Sequence, residues 1–459
     1  MKMAKDESLD SKIDRPFDNF KDLVNSVQSG GTPRLFVFSL PHGSPGDCVI
    51  DELSPYLKRG DIILDGANEN FIETERRQGE LIAKGVYYIG AGVSGGYHAA
   101  RRGPSMSPGG EEHAVDAILP FLKKVAAKDS KGRRCVANMG FGGSGHYVKT
   151  VHNGIEQGML SVICEAWGIM VNHLGMEYNT VSKVFEKWNA EGELVLAVLL
   201  QFWWQKNNYL VSIGAQICQQ RSDDKKQVLG KIKDKVVQDA DNSEGTGVWT
   251  QDEAVNNHIP SPTMTMAHFF RLASANRGQR DKFHELMGDV QKQPISLEGM
   301  NYQDFLEELR IAVYLGCLSS SVQGFVLLDR AEKVHRWGIP FAKVIQTWRA
   351  GCIVQSDYIA DLLQPLLENS AGSGNLLLVK PVIDELRGGL PCLKKVVLKA
   401  VEADANVPAL SATLEWLKYI GRKELPLQFM EAELDFFGAH SFNLKNENAE
   451  GIKKGRFYR

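Results

Sequence analysis

The sequence predicts an α/β domain followed by a larger, all-helical domain, and three observations support this prediction. Short apolar runs alternate with segments of helical periodicity between residues 17 and 89. Long helical periodicities dominate from residue 145 to about residue 420. The 459 residues are 43% hydrophobic, which is typical of a globular protein with two or three cores.

The first domain is predicted over residues 17–144. We expect strands at residues 35–40, 61–65 and 86–89, and helices at residues 17–28, 48–58 and 73–84. Strands and helices that alternate at this spacing favour a parallel sheet. The charged residues 1–16 ahead of this domain are expected to form a disordered leader.

The second domain is predicted over residues 145–442 and is expected to be all-helical. Long helices are expected at residues 146–175, 180–189, 194–220, 301–334 and 342–363. Residues 443–459 are polar and are expected to form an extended tail.

Composition excludes several classes of partner and compartment. The 53 basic and 56 acidic residues nearly balance, which indicates neither nucleic acid nor an anionic membrane as a partner. The longest apolar block, at residues 194–204, is interrupted and too short to span a bilayer. Seven scattered cysteines without a C-x-x-C pair indicate neither a zinc site nor a disulfide framework. We therefore expect a cytoplasmic protein without a metal.

Two segments match the dinucleotide-binding pattern G-x-G-x-x-G, at residues 90–95 and 140–145. The first follows a strand that would be at least the third of the sheet, whereas the pattern belongs to the first βα turn. Glycines and prolines interrupt residues 96–110, so we do not expect the required helix there. The second segment matches the pattern by chance and precedes the helix that carries Lys149. Neither match is strong evidence for a nucleotide site.

The helix predicted at residues 145–158 carries an unusual polar face. Lys149, His152, Asn153 and Glu156 lie at i, i+3, i+4 and i+7, so they share one side of the helix. A titratable amine beside a carboxyl is what proton-transfer chemistry requires. Glycines within and before this helix would allow a ligand to approach the backbone. The alternative is a solvated face with a network of charged side chains.

Several motifs occur in an order and spacing that resemble 6-phosphogluconate dehydrogenase, the decarboxylating enzyme of the pentose phosphate pathway. They are IGAGVSGG at 89–96, GPSMSPGG at 103–110 and GHYVKTVHNGIEQG at 145–158, with LDGAN at 64–68, EGTGVWT at 244–250, WRAGC at 348–352 and DFFGAH at 435–440. The likeness extends from about Phe17 to Phe442.

The resemblance implies a Rossmann-type coenzyme domain, a large helical domain and a C-terminal tail that reaches into the partner subunit of a homodimer. In that family, NADP accepts a hydride from C3 of 6-phosphogluconate. The resulting 3-keto acid loses CO2, and protonation of the enediol yields ribulose 5-phosphate. The expected small-molecule partner is therefore a phosphorylated sugar acid.

By position, Lys149 resembles the general base and Glu156 the acid that protonates C1 of the product. A lysine acts as a base only where burial and nearby positive potential lower its pKa toward neutrality. The resemblance implies substrate contacts at Asn68, Ser94, Gly95, Gly96, His152, Asn153, Arg271 and His440. It implies coenzyme contacts at Leu40, Pro41, His42 and Asn68. Residues 90–95 are accordingly expected to form a substrate loop.

The sequence departs from the family at both ends. The family opens with a strand, a G-x-G-x-x-G loop, a helix and a second strand, which we do not find, so a truncated coenzyme domain is expected. At the other end His440 is retained, but the glycine-rich end of the family's tail is replaced by residues 446–459.

The sequence also departs at the substrate phosphate, which the family holds with a tyrosine, a lysine and two arginines. The matching positions are Gln157, Glu244, Arg271 and Leu434. One charge pair near 4 Å contributes about 4 kcal/mol at an effective dielectric constant of about 20, and a glutamate in place of a lysine reverses its sign. A phosphate dianion is therefore expected to be poorly tolerated there.

Three hypotheses remain open from the sequence. The chain is an NADP-dependent decarboxylating dehydrogenase of 6-phosphogluconate or a related sugar acid. Alternatively, it is a catalytically impaired paralogue that acts as a dimerising or regulatory subunit. A third possibility is a gene model truncated at its 5′ end, which would explain the missing first strands but not the altered phosphate contacts.

Overall fold

The computed structural model describes residues 17–27, 30, 32–190, 208–236, 238, 245–288, 292–370 and 373–445. The described residues up to Thr413 form one compact unit, and those from Leu414 onward form a second. The predicted leader, Glu244 and most of the predicted tail lie outside the described residues. The boundary predicted between residues 144 and 145 stays a prediction.

A four-stranded sheet forms the centre of the N-terminal region, with strand order β1-β2-β3-β4. The strands are β1 (Leu35–Phe38), β2 (Ile62–Asp65), β3 (Tyr87–Ser94) and β4 (Ser105–Gly109). The first three are parallel, as predicted. β4 is antiparallel to β3 and was not predicted, because its sequence SMSPG lacks the apolar alternation of a strand.

Five helices accompany these strands: α1 (Phe20–Ser26), α2 (Ser44–Leu53), α3 (Phe71–Ile82), α4 (Gly96–Arg102) and α5 (Glu112–Val125). Side chains alternate across the strands, so Ile62 and Leu64 pack in the cluster that contains α5. Ile63 packs in the opposite cluster, with residues of α1, α2 and α3. Burial on both faces explains why β2 is a continuous apolar run.

The remaining helices follow β4 and α5. They are α6 (Ser144–Gly168), α7 (Tyr178–Ala190), α8 (Tyr209–Gln219), α9 (Thr246–Asn256), α10 (Pro262–Ala275), α11 (Arg277–Met287), α12 (Tyr302–His335), α13 (Phe341–Thr347), α14 (Asp357–Glu368), α15 (Lys380–Glu402), α16 (Pro408–Ile420) and α17 (Leu427–Gly438). A π-helical turn, Ile169–His173, continues α6. Residues 191–207 of the helix predicted at 194–220 lie outside the described part.

Helix α6 is the element that joins the sheet to the helices. It packs against β3 and β4 on one side and against α9, α10 and α12 on others. Val148, Val151 and Ile155 of α6 are all fully buried. Gly324 of α12 leaves room for Ile155, because a Cβ there would lie 2.5 Å from the Ile155 Cδ1 atom.

Helix α12 is long and apolar enough to cross a membrane by composition alone. Most of its apolar stretch is buried inside the protein, as in the central helix of a helical core. Gly389 of α15 allows close packing here, since a Cβ would lie 2.2 Å from a methyl carbon of Leu315.

The prediction of a single helix at residues 342–363 is wrong, because the structure has α13 and α14 with an irregular segment between them. Gly351 in that segment has φ +71°, and its carbonyl accepts a hydrogen bond from the Ser105 amide at 2.9 Å. This contact with the start of β4 interrupts a pattern that is helical by periodicity alone.

The second unit begins within α16 and contains α17. After α17 the chain turns through Ala439 in a left-handed conformation, and the Ser441 amide donates to the Asp435 carboxylate at 2.6 Å. Lys445 pairs with Glu424 at 2.9 Å.

Candidate active site

The polar face of α6 lies against β3 rather than in solvent. Lys149 is 8% exposed and His152 is 1% exposed, whereas the Glu156 side chain is 24% exposed. Gly92 permits this packing, because a Cβ at that position would lie only 2.3 Å from the Lys149 Cβ. The solvated-face interpretation is therefore wrong for Lys149 and His152.

A chain of hydrogen bonds orients His152. The Asn153 amide donates to Thr246 Oγ1 at 2.7 Å, and its oxygen lies 3.1 Å from His152 Nδ1. Because an amide oxygen only accepts, Nδ1 carries the proton. His152 Nε2 then accepts from the Ser94 hydroxyl at 3.1 Å. The structure thus brings Ser94, His152 and Asn153 together and adds Thr246, which sequence reasoning missed.

His152 is neutral in this arrangement. Its burial, together with the nearby charge of Lys149, holds the pKa of His152 well below its usual value. The Glu156 carboxylate lies 3.7 Å from His152 Nδ1, but a neutral ring does not form an ion pair with it. The ring of His152 also packs edge-on against Trp348 at a centroid distance of 5.5 Å. His152 therefore acts as a fixed polar group here, not as a charge.

The turn at residues 94–96 requires glycine. Gly95 has φ +113°, and a Cβ there would lie 2.2 Å from the Ala99 Cβ and 2.3 Å from the Gly351 carbonyl oxygen. The prediction that residues 90–95 form a loop is wrong, because β3 continues through Ser94. The prediction that no helix follows is also wrong, since α4 begins at Gly96. Only residues 94–96 form a turn beside His152.

The glycines around α6 serve helix packing rather than ligand access. A Cβ at Gly145 would lie 2.1 Å from the Gly90 carbonyl oxygen of β3. Gly154 faces Thr250 of α9 in the same way, and Gly158 faces Ser320 of α12. The expectation that these glycines admit a ligand to the backbone is therefore wrong at Gly145, Gly154 and Gly158.

The residues predicted to contact a coenzyme lie at the carboxyl ends of β1 and β2. Leu40 and His42 are half-buried, Pro41 and Asn68 are exposed, and the His42 ring packs edge-on against Trp249 at 5.3 Å. Ligands of open α/β sheets bind at this edge. Gly43 next to them has φ +81° with nothing within 4 Å of its Cβ position, so the backbone is open to close approach. These features fit a nucleotide.

Two family models match the chain. The NAD binding domain of 6-phosphogluconate dehydrogenase matches residues 2–140, and the 6-phosphogluconate dehydrogenase C-terminal domain matches residues 145–455. The chain belongs to the 6-phosphogluconate dehydrogenase family. The first match includes residues 2–16, which lie outside the described part, so truncation of the 6-phosphogluconate dehydrogenase coenzyme domain stays a prediction.

Individual relatives extend the likeness over most of the chain. It is 43% identical to the decarboxylating 6-phosphogluconate dehydrogenase of Emericella nidulans, over 99% of this chain and 92% of the relative. It is 34% identical to that of Escherichia coli, over 95% and 87%. The 6-phosphogluconate dehydrogenase structure of Plasmodium falciparum matches with a TM-score of 0.83 at 31% identity, over 96% of this chain and 88% of that chain. That enzyme is described in apo form, with its cofactor NADP+ and with its substrate 6-phosphogluconate.

These matches confirm the predicted family and fold class, a Rossmann-type coenzyme domain followed by a large helical domain. They leave the predicted site residues untested, so the roles of these residues in the 6-phosphogluconate dehydrogenase reaction remain proposals.

Two of the positions that match the family's phosphate contacts, Gln157 and Arg271, lie on α6 and α10 of the first unit. Gln157 is buried, and its oxygen lies 3.2 Å from His268 Nδ1. Arg271 is half-buried on the same helix as His268. Leu434 is half-buried and His440 is exposed, both in the second unit. No sequence signal marked His268, because an isolated histidine on an apolar helix face usually belongs to the core.

Proposed function

We propose that this chain oxidises and decarboxylates 6-phosphogluconate with NADP, with Lys149 as general base and Glu156 as general acid. The observation that carries the proposal is the placement of both side chains on one face of α6, beside the turn at residues 94–96. Lys149 is held against β3, and Glu156 is one-quarter exposed. A base and an acid seven residues apart on a rigid helix can act on neighbouring carbons of one bound sugar acid.

Lys149 acts as the base in its neutral form, which it reaches by losing a proton to solvent. It takes the proton of the C3 hydroxyl as the hydride leaves C3, and the product is a 3-keto acid. The ammonium of Lys149 then lies beside the C3 oxygen, where it stabilises negative charge. The C1–C2 bond breaks and CO2 leaves, while the electron pair of that bond forms a C2–C3 double bond and Lys149 returns its proton to the C3 oxygen, which gives the enediol. Glu156 then donates its proton to the carbon that has lost CO2, and Lys149 takes back the proton of the C3 hydroxyl as the ketone forms.

Ser94, His152 and Asn153 orient the substrate in this proposal. The Ser94 hydroxyl donates to His152 Nε2, so the lone pairs of its oxygen are left to accept a hydrogen bond from a hydroxyl of the sugar acid. The amides of the turn at residues 94–96 add backbone donors. Because burial holds the pKa of His152 well below its usual value, its ring is a weak base and does not compete with Lys149 for the proton of the C3 hydroxyl.

NADP, when bound, accepts the hydride from C3. In this proposal Leu40, Pro41, His42 and Asn68 hold it, because they line the carboxyl edge of β1 and β2. Asn68 lies in the loop after β2, where it would contact both the coenzyme and the substrate.

The test is NADPH formation by the purified chain with 6-phosphogluconate, in parallel with release of CO2. Lys149→Ala should abolish turnover, because no other amine occupies this face of α6. Lys123→Ala, at an exposed position of α5, is the matched control and should retain full activity. Absence of turnover in the unmodified chain, with intact NADP binding, would favour the impaired paralogue.

A related sugar acid is the second candidate substrate, and Gln157 is the observation that favours it. The buried Gln157 amide, hydrogen-bonded to a histidine, would attract a phosphate dianion less strongly than a cation at the same position. Gluconate and 6-phosphogluconate should therefore be compared in the same assay. A higher kcat/KM with gluconate would identify the unphosphorylated acid as the substrate, and the reverse would exclude it.

We propose further that the chain forms a homodimer in the cytoplasm. Phe283, Leu286 and Met287 of α11 expose an apolar surface, and Phe429 and Phe437 of α17 expose another. The seven unpaired cysteines suit a reducing compartment. In the dimer, His440 would reach the partner's site, as the resemblance implies.

Light scattering of the purified chain tests the dimer. Phe283→Asp should shift the mass toward the 50.9 kDa of one chain, whereas Ile72→Asp, at an exposed position of α3, should not. A monomeric unmodified chain would contradict the proposed dimer.

A further inference from the structure

A buried arginine lies next to the loops that follow β1 and β2, which we call the coenzyme edge because they carry His42 and Asn68. Arg77 of α3 has no exposed surface, and its guanidinium donates in three directions. Nε donates to Asp47 of α2 at 2.9 Å, Nη1 to Glu69 at 2.8 Å, and Nη2 to the Gly43 carbonyl at 2.9 Å. One side chain thus connects the loop after β1, the first turn of α2 and the loop after β2.

The peptide groups of Gly43 are held on both sides by this cluster. The Gly43 amide donates to Glu69 Oε2 at 2.8 Å, while the Gly43 carbonyl accepts from Arg77. Glu69 Oε1 also accepts from the Asn70 amide at 2.8 Å. The Arg77–Glu69 pair therefore fixes the residue after His42 and the residue after Asn68 relative to each other.

A glycine on α2 leaves the space that the Arg77 guanidinium occupies. Gly46 of α2 lies against it, since a Cβ there would be 2.9 Å from the central guanidinium carbon. Below it, Tyr88 donates to Asp65 at 2.5 Å, and the Tyr88 oxygen is 3.4 Å from Arg77 Nη1. Burial raises the pKa of Glu69, but the hydrogen bonds from Arg77 and from the Gly43 and Asn70 amides outweigh it, so the pKa is lowered overall.

A buried ion pair is a poor way to gain stability, because desolvation offsets most of the attraction. An arginine fork instead imposes geometry, since its planar donors bind several acceptors in fixed directions. In this protein those acceptors belong to the two loops that follow adjacent parallel strands, where ligands of such sheets bind. The arrangement therefore serves the geometry of the coenzyme edge.

We propose that Arg77 is a positioning residue for the coenzyme, which acts through Glu69 and Gly43 on the loops that carry His42 and Asn68. The proposal rests on the proposed function for the identity of the coenzyme as NADP. Arg77 touches neither coenzyme nor substrate. Without the Arg77 guanidinium, the two loops lose the group that holds them together. Ordering them when NADP binds would then reduce the free energy of binding.

The experiment compares Arg77→Lys with Arg76→Met. Arg77→Lys keeps the charge but cannot reach three acceptors in fixed directions. Arg76, its neighbour, is 40% exposed and pairs with Asp47, Glu73 and Glu80, so it controls for loss of an ion pair on the same helix. The measurements are the Kd of NADP by titration, KM for the coenzyme and for the sugar acid, kcat, and the unfolding midpoint.

We expect Arg77→Lys to raise both Kd and KM for NADP about tenfold, while KM for the sugar acid changes less than about twofold. Arg76→Met should change neither by more than about twofold. Glu69→Gln, which keeps the shape of the side chain, should reproduce the NADP effect and provides the same test if Arg77→Lys does not fold.

A lower unfolding midpoint or kcat with unchanged NADP affinity would overturn the proposal and leave Arg77 a structural residue. Failure of the unmodified chain to bind NADP would overturn this proposal and the proposed function together. NADP binding without oxidation of 6-phosphogluconate would contradict the proposed function alone, because the NADP titration of Arg77→Lys still decides the role of Arg77.

Discussion

Replacing Gly92 with alanine should displace Lys149 and reduce kcat. The new Cβ would lie 2.3 Å from the Lys149 Cβ, 3.1 Å from its Cγ and 2.9 Å from the Gly145 carbonyl oxygen. Carbon atoms in contact prefer about 3.5–4.0 Å, so β3 and α6 must separate by roughly 1 Å. Two of the three neighbours belong to the stem of Lys149, so this separation moves the proposed base directly.

The magnitude follows from the sensitivity of catalysis to position. A misplacement of about 1 Å can cost about 100-fold in rate, or roughly 2.7 kcal/mol of transition-state stabilisation. Overpacking of this kind also lowers stability by about 1–3 kcal/mol. The affinity for NADP should stay unchanged, because the three atoms nearest to the new Cβ belong to α6 and not to the loops after β1 and β2.

The assay is kcat for NADPH formation, with the Kd of NADP and the unfolding midpoint measured on the same preparation. Gly79→Ala is the matched control, since Gly79 is an exposed position of α3 with nothing within 4 Å of its Cβ. It should keep full activity and gain up to about 1 kcal/mol in stability. If Gly92→Ala keeps kcat within about twofold, close packing of β3 on α6 does not position Lys149, and the reasoning is wrong.

Three further predictions concern buried charged and titratable groups. The buried Glu165 accepts from the Ala409 and Leu410 amides, and burial raises its pKa to about 7. Its stabilising contribution is full below its unfolded pKa of about 4.3 and is lost as pH rises through 7. Between pH 5 and 8, the unfolding midpoint of the unmodified chain should therefore fall more than that of Glu165→Gln. Parallel plots of midpoint against pH for the two proteins would contradict this. The His152 imidazole should not titrate in NMR spectra between about pH 6 and 8, since burial lowers its pKa, and a midpoint in that range would show that the ring becomes charged. Arg34→Met leaves Asp61 buried and unpaired, so denaturant unfolding should show a loss of about 3–5 kcal/mol. Lys380→Met, which removes an exposed pair, should not measurably change stability.

Local periodicity was sufficient for much of the fold. The strands at β1 and β2 and the helices α3, α6, α7 and α12 follow from runs and spacings within each segment. The same argument placed Lys149, His152, Asn153 and Glu156 on one face of α6. Helices with strong periods form where they are expected because their pattern matches the face they bury.

Periodicity failed where contacts distant in sequence decide the backbone. Gly90 and Gly92 suggested a loop, yet both belong to β3. They are glycines because α6 packs so closely against β3 that no side chain fits at either position. β4 exists because it pairs with β3, and the segment around Gly351 leaves the helix because it contacts the start of β4. In each case the contacting element lies outside the short segment whose periodicity was used for the prediction.

The sequence by itself determined the family, the first three strands and several of the helices, and the row of side chains proposed for proton transfer. Those properties reside in motifs and periods that are local to the chain. Only the tertiary structure decided that Lys149 and His152 are buried, that Thr246 and Asn153 set the tautomer of His152, and that Arg77 anchors the coenzyme edge. Burial, protonation and hydrogen-bond direction depend on groups tens of residues away, and packing is what brings those groups together.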